Sequence, residues 1–287
     1  ETKEGTPIQV DYQDYIHFSP VGTGDTIWLA SSGYLLPGGH THGVLRLVNV
    51  DGGINAGRGP YVDIVLGRTS LSDNGNCSSS YSPSATTICQ AVDTQVDSEG
   101  NLWVVDKQSS DDGIGTRLLK YSAASLPANP ASTLYAIPAS AVYGTGGRFD
   151  ARTSCFSNSP SDFENGCHPF APGFDGAGRF VLGANPYTGS QLPLVYLNYK
   201  ENIHPQFALG DMYGYIFDQV FDADGNLYIA DRNWNRILVY KKPFQYLLKV
   251  PVIAPPVTDT NKDKTNITPV PPKNYPNPLR LGKQSTT

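Results

Sequence analysis

The stretch that decides the fold is residues 218–231, DQVFDADGNLYIAD, with residues 236–240, RILVY, after it. The first apolar run ends in the pattern Asp-x-x-Gly-Asn, in which Gly225 can take the positive φ of a tight hairpin and Asp222 can accept bonds from its own backbone. Two further apolar runs follow, separated by a polar loop. The pattern predicts three short antiparallel strands.

The same pattern recurs earlier in the chain. Residues 93–106, DTQVDSEGNLWVVD, repeat it closely, with Asp97 and Gly100 at the turn and residues 118–121, LLKY, as the third run. Two looser copies keep the order of apolar run, turn and apolar run: residues 24–30 with 44–47, and residues 174–182 with 195–197. A repeated meander that cannot bury its own faces is typical of propellers and repeat arrays.

The two close copies resemble NHL repeats, a family of β-propellers, and the looser copies match the family pattern in outline. With their outer strands, the copies span about residues 14–254. The resemblance implies an all-β propeller of four-stranded antiparallel blades, with four blades visible and up to six expected for the family. Either the ring is small, or two further blades are too degenerate to read, or another chain completes it. Propellers host unrelated activities, so the resemblance implies little about function.

The expected blades differ mainly in their inserts. The first blade is predicted to use residues 15–19, 26–30, 44–50 and 61–66, with a glycine-rich loop at 31–43. The second is predicted at 91–138 with residues 132–137 as its outer strand. The third is predicted at 168–209, and the fourth at 215–253 with residues 245–253 as its outer strand.

Both termini are predicted to lie outside the repeats. Residues 1–13 contain an alternating stretch, which would close the ring on the last blade or exchange into a neighbouring subunit; a frayed terminus is the other interpretation. Residues 255–287 hold seven Pro, five Lys or Arg and two Asp. Such a Pro/Thr-rich segment is typical of a linker or a docking tail.

Composition narrows the classes of partner. The chain has 287 residues, 39% of them apolar, and its 29 Gly, 23 Pro and 17 Tyr suit strands and turns better than helices. The net charge of −5 argues against nucleic acid as the partner. No apolar run approaches the ~20 residues that span a bilayer.

The cysteines indicate the compartment. Cys77 precedes Cys89 by twelve positions, and Cys155 precedes Cys167 by the same interval. Paired cysteines in a loop-rich chain favour two disulfides, each worth ~3 kcal/mol in the chain-entropy model, and hence an extracellular or cell-surface protein. The alternatives are four free thiols or a metal site, although no Cys-x-x-Cys motif is present.

Four carboxylates are expected on one face. Asp93 and Asp218 open the first strands of their blades, whereas Asp106 and Asp231 close the second strands. In an antiparallel meander these positions lie at the same edge. Both cysteine inserts and the loops after the second strands also reach that edge, which therefore is the expected binding surface.

The two pairs of carboxylates have different expected roles. Asp93 and Asp218 would point toward the central channel and either bind a hard cation such as Ca²⁺ or accept backbone N–H bonds from the neighbouring blade. The structural interpretation is favoured, because the matching positions in the other two blades are Phe18 and Ala171. For Asp106 and Asp231 the resemblance implies a loop-fixing role. The turn residues Asp97, Gly100, Asp222 and Gly225 are predicted to be structural.

Other candidate site residues lie in predicted loops. His40 and His42 would bind Zn²⁺ or Cu²⁺ with a third ligand, or would belong to a solvated Gly/His loop, which the lack of a neighbouring carboxylate or cysteine favours. Five aromatic residues are candidates for protein or glycan contacts on the elaborated face: Tyr34, Tyr81, Phe156, Tyr187 and Trp234.

Two functions fit these observations. The first is a non-catalytic extracellular module for binding, adhesion or assembly, whose partner is another protein, a second copy of the chain, or a glycan. The alternative is a secreted NHL-like, metal-dependent lyase or hydrolase that acts at the channel mouth. The first is favoured, because the sequence has no Gly-x-Ser-x-Gly, phosphate-loop or His-Glu-x-x-His motif.

Overall fold

A computed structural model describes most of the first 247 residues. The chain divides into the units Glu1–Leu247 and Leu248–Thr287, and all of the second unit lies outside the described residues. The described ranges are residues 2–5, 9–10, 17–20, 26–36, 39–50, 59–70, 73, 82–107, 116–145, 147–151, 169–184, 192–197, 207–209, 216–231 and 234–247.

The first sheet is a meander with two added strands. Five of its six strands are β1 (Gln9–Val10), β2 (His17–Pro20), β3 (Thr26–Leu36), β4 (Gly39–Val48) and β5 (Tyr61–Leu66), and the sixth, β9 (Leu134–Tyr135), comes later in the chain. Strands β2 to β5 pair in order and antiparallel. The prediction of a loop at residues 31–43 was wrong, because the ladder resumes after a bulge and pairs Tyr34 with Thr41 and Leu35 with His40.

The N-terminal segment is anchored on this first sheet. β1 pairs with the far half of β3, where Val10 lies opposite Tyr34, and Thr2 forms a bridge to Val62. The described part of residues 1–13 therefore pairs within the first sheet.

The second sheet is built from β6 (Gln90–Val96), β7 (Leu102–Lys107), β8 (Thr116–Tyr121) and β10 (Ala141–Tyr143). A 3-10 helix, Ala123–Ser125, follows β8. The predicted outer strand at residues 132–137 was wrong. Its central part, β9 (Leu134–Tyr135), instead pairs in parallel with β5 of the first sheet, and β10 takes the outer position.

The third and fourth sheets complete the described fold. The third contains β11 (Pro169–Phe174), β12 (Phe180–Ala184), β13 (Leu192–Tyr196) and β14 (Phe207–Ala208). The fourth contains β15 (Ile216–Phe221), β16 (Leu227–Asp231) and β17 (Arg236–Tyr240), followed by helix α1 (Pro243–Leu247). Residues 245–247 of the predicted outer strand therefore lie in a helix.

One turn is built the same way in the second and fourth sheets. The Asp97 carboxylate accepts N–H bonds from Glu99 at 3.0 Å and Asn101 at 2.9 Å, and Trp103 Nε1 donates to its other oxygen at 2.9 Å. The Asp222 carboxylate accepts the equivalent bonds from Asp224, Asn226 and the Tyr228 hydroxyl. Gly100 and Gly225 both have positive φ, at 79° and 81°. The Asp therefore fixes the turn and the aromatic residue two positions into the next strand.

The sheets pack face to face in chain order. Trp28, Val44 and Ile64 of the first sheet bury against the second sheet, whose opposite face packs Trp103 and Val105 against the third. A third cluster joins the third sheet to the fourth. β6 contacts β2, β3 and β11, and β11 contacts β15, so the first strands lie nearest to one another. This arrangement of antiparallel sheets is a β-propeller-type fold.

We expect Gly67→Ala to destabilise the contact between the first and second sheets. Gly67 has a φ of +87°, and an added Cβ would lie 2.5 Å from Ile88 Cβ, which is fully buried. The positive φ and the overlap together should cost about 2–5 kcal/mol. The measurement is thermal unfolding followed by circular dichroism.

The matched control is Gly176→Ala. Gly176 has a similar φ of +78°, but nothing lies within 4 Å of an added Cβ. It should cost only about 1–2 kcal/mol, the backbone part of the penalty. Equal losses in the two variants would contradict the packing explanation.

Candidate active site

Asp93 and Asp218 occupy equivalent positions in the second and fourth sheets. Each directly follows a register shift in the first strand of its sheet, between Ala91 and Asp93 and between Ile216 and Asp218. Each carboxylate also accepts the N–H of the next residue at 2.7 Å, from Thr94 and from Gln219. The residues without a ladder partner are 92 and 217, and each acid pairs again directly after its bulge, Asp93 with Val105 and Asp218 with Ala230.

The two carboxylates are close enough to interact. Asp93 is buried, with 9% of its surface exposed, whereas Asp218 is exposed to solvent. Burial, and then the charge of Asp218, raise the pKa of Asp93 to about 8. At neutral pH Asp93 therefore carries a proton, while the side chain of Asp218 is reached by water.

The first sheet has no such bulge, and the third sheet has one without an acidic residue. β2 pairs with β3 without a register shift, and the shift in β11 falls between Phe170 and Pro172, around Ala171. The acidic positions therefore belong to alternate sheets of the four.

The described donors do not complete a Ca²⁺ site. A Ca²⁺ ion takes six to eight oxygen ligands, and two carboxylates supply at most four. Within the described ranges no group of three or more His, Cys, Asp or Glu side chains is placed to hold a metal ion. The binding of Ca²⁺ at Asp93 and Asp218 stays a prediction.

Asp106 forms the centre of a buried network at the end of the second strand. Its Oδ1 accepts the N–H groups of Cys89 at 2.8 Å and Gln90 at 3.0 Å, and its Oδ2 accepts Arg117 Nε at 2.9 Å. Arg117 also donates to the carbonyl oxygens of Thr87 and Phe149, and neither partner of the ion pair is exposed. The network ties the segment before β6 and the segment after β10 to the end of β7.

Asp231 forms the corresponding pair in the fourth sheet. It lies opposite Arg236, whose Nε donates to Asp231 Oδ2 at 2.8 Å, just as Asp106 lies opposite Arg117. Arg236 is about half exposed, however, and the buried Oδ1 of Asp231 accepts no hydrogen bond from the described residues. The fourth sheet thus repeats the ion pair of the second.

The arginine partners are functional neighbours that the sequence analysis missed. In both close copies an Arg stands at or next to the first position of the third strand, directly across from the Asp that ends the second. That recurrence was a usable signal. The Arg46–Asp63 pair, with Nε and Oδ1 2.8 Å apart in the first sheet, had no such signal, because no repeat carries it.

The remaining candidate residues are only partly described. Cys89 is buried and disulfide-bonded, while Cys77, Cys155 and Cys167 lie outside the described residues, so the predicted pairing stays a prediction. The backbones of Tyr34, His40 and His42 lie in β3 and β4, and their side chains are outside the described part. Tyr81, Phe156 and Tyr187 also lie outside it. Trp234 is 60% exposed and packs its ring 5.6 Å from the Arg236 guanidinium.

Comparisons with known proteins find only distant structural similarities. No protein-family model and no curated protein matches the chain. A gluconolactonase from Xanthomonas campestris is similar over 76% of this chain and 55% of its own, at 10% identity and a TM-score of 0.36. A streptogramin B lyase is similar over 78% of this chain and 62% of its own, at 11% identity and a TM-score of 0.32. This chain thus spans less than two thirds of either one.

A protein of unknown function from Bacteroides thetaiotaomicron is similar over 83% of this chain and 72% of its own, at 13% identity and a TM-score of 0.30. The class is therefore defined by the sheets themselves: a β-propeller-type protein with an acid pair on its inner strands. In the part of the chain that is described, no helix is long and apolar enough to cross a membrane.

We expect Arg117→Met to destabilise the protein by about 3–5 kcal/mol, because the buried Asp106 carboxylate would lose its charged partner. The measurement is urea unfolding. Arg148→Met is the control, since the Arg148–Asp150 pair is 69% and 72% exposed. Its midpoint should stay at the wild-type value; an equal loss in both variants would refute the buried-network explanation.

Asp93 should make stability fall as the pH rises. Its raised pKa keeps the proton on the folded state, so its contribution is fully present below about pH 4 and is lost as the pH rises through about 8. The asparagine side chain of Asp93→Asn does not titrate. The melting temperature of this variant, relative to that of the wild type, should therefore increase between pH 5 and pH 9. A constant difference over that range would contradict the proton assignment.

Proposed function

We propose that the protein is a hydrolase or lyase in which Asp93 and Asp218 act as an acid–base pair. The observation that carries the proposal is the placement of the two acids at matching bulges, one buried and one exposed to solvent. The acids are not needed to form a sheet, because the first and third sheets have Phe18 and Ala171 at the matching positions.

The pair supplies the two proton positions that such reactions need. In hydrolysis, the Asp218 carboxylate would take a proton from the attacking water while Asp93 gives its proton to the departing oxygen. In elimination, Asp218 would take the proton from carbon instead, and Asp93 would again protonate the leaving group. Both routes end with Asp218 protonated and Asp93 ionised, and exchange with solvent restores the starting state.

The proposed location is outside the cell. It is supported by the paired cysteine spacing and by the disulfide bond of Cys89. Cys89 directly precedes β6, the strand that carries Asp93, so the predicted cysteine insert would enter the sheet beside the acid pair. We also propose that the repeats belong to the NHL family, which they resemble in sequence.

A binding or assembly module is the second candidate. It is supported by the exposed apolar residues of the fourth sheet, where Val220 is 61%, Ile237 is 67% and Val239 is 47% exposed. Apolar side chains grouped on one sheet face are typical of contact surfaces. The partner proposed for this function is a protein or a glycan.

The test is turnover of simple probes by wild type, Asp93→Asn and Asp218→Asn. The probes are p-nitrophenyl acetate, δ-valerolactone and a β-acetoxy ketone, assayed with Ca²⁺ and with EDTA. Both variants should lose at least about 100-fold in kcat/KM, the usual contribution of a positioned acid or base. Asp224→Asn, a change in an exposed turn, should stay within twofold of wild type. Activity that the variants keep, or no turnover of any probe, would contradict the proposal.

A further inference from the structure

The two acids are carried by different sheets, with the third sheet in contact with both of their strands. Asp93 lies in β6 and Asp218 lies in β15, and β11 of the third sheet contacts β6 and β15. Because protein interiors are close-packed, the spacing between these strands is fixed by the side chains that separate them. The distance between the two carboxylates therefore depends on how closely β15 packs against β11.

β15 approaches β11 closely at Gly173. Gly173 is buried, and its φ lies outside the left-handed region, so the backbone conformation does not require a glycine there. A Cβ added at this position would lie 3.2 Å from the carbonyl oxygen of Gln219 and 3.3 Å from its Cγ, which is closer than ordinary van der Waals contact. The missing side chain therefore allows the close approach of the two strands.

Gln219 occupies the space that Gly173 leaves. Its side chain is buried, and its Nε2 donates to the carbonyl oxygen of Val181 in β12 at 2.6 Å. Val181 is the ladder partner of Gly173. The amide of Gln219 therefore reaches past the glycine to the second strand of the third sheet.

Gln219 also contacts the exposed acid. Its N–H donates to Asp218 Oδ1 at 2.7 Å, so its backbone binds the acid while its side chain binds the third sheet. In the second sheet the residue after the acid is Thr94, whose N–H binds Asp93 at the same distance. Threonine has a much shorter side chain than glutamine. Of the two close copies, the one with the solvent-exposed acid therefore carries the longer side chain.

We infer that Gln219 and Gly173 are positioning residues that together set the distance between Asp218 and Asp93. Gln219 ties Asp218 to the third sheet, and Gly173 keeps the path of its side chain open. The inference rests on the proposed acid–base function. A fixed spacing serves that function, because a proton donor and a proton acceptor must be held in the right geometry around one substrate.

The test is titration of Asp93 by carbon-13 NMR of its carboxyl carbon in the full-length protein without substrate. Asp218→Asn removes the neighbouring charge and should lower the pKa of Asp93 from about 8. Gly173→Ala and Gln219→Leu should each lower this pKa by at least about 0.2 unit, because the interaction of two charges weakens as their distance grows. In the matched control Gly59→Ala the pKa should stay at the wild-type value, since nothing lies within 4 Å of the added Cβ.

Double variants separate positioning from a general loosening of the core. In the Asp218→Asn background, Gly173→Ala and Gln219→Leu should change the pKa of Asp93 by less than about 0.1 unit, because the charge that they displace is gone. Loosened packing would instead admit water and lower the pKa in both backgrounds. Circular dichroism identifies the folded variants, and either of the two changes is sufficient for the comparison.

Three results would overturn the inference. The pKa of Asp93 could equal the wild-type value in the folded single variants, or it could fall equally with and without the charge of Asp218. The third result is an unchanged pKa in Asp218→Asn itself. None of these measurements involves turnover, so they are independent of the assay that tests the proposed function.

Discussion

The structure depends on one constraint: each sheet is apolar on both faces and cannot bury both by itself. The second sheet shows the solution, with Leu102 and Val104 buried against the first sheet while Trp103 and Val105 are buried against the third. Alternation along one strand thus serves two interfaces. Packing the sheets in chain order satisfies this need and brings the first strands together, which sets where any site on them can lie.

The acid pair follows from a local departure from that regular packing. Bulges in β6 and β15 directly precede Asp93 and Asp218, and the two acids differ in their access to water. Burial keeps the proton on one of them. The neighbouring Asp106 and Asp231 take a different role, since each is held by an arginine across the sheet. Of the four acids at this edge, two are therefore held by arginines and the other two form the proposed acid–base pair.

Sequence patterns predicted the elements that local chemistry fixes. The Asp97 and Asp222 turns were predictable because an Asp, a Gly at positive φ and an Asn act within five residues. Elements that depend on a distant partner were not. Residues 132–137 alternate like an outer strand of their own sheet, but Leu134 and Tyr135 pair with β5, and the nearby Thr133 binds the Glu4 carboxylate through its N–H at 2.7 Å. Residues 31–43 looked like a loop because they are rich in glycine. They form strand structure nevertheless, because β3 and β4 pair with each other there.

The sequence by itself determined the repeat, the turns and the edge at which the acids gather, because each depends on residues close together in the chain or on strand parity. Only the tertiary structure decided that Asp93 is buried beside Asp218, that Arg117 neutralises Asp106, and that Gln219 binds the third sheet. Burial and electrostatic coupling depend on contacts between sheets far apart in sequence, and no spacing within one repeat encodes them.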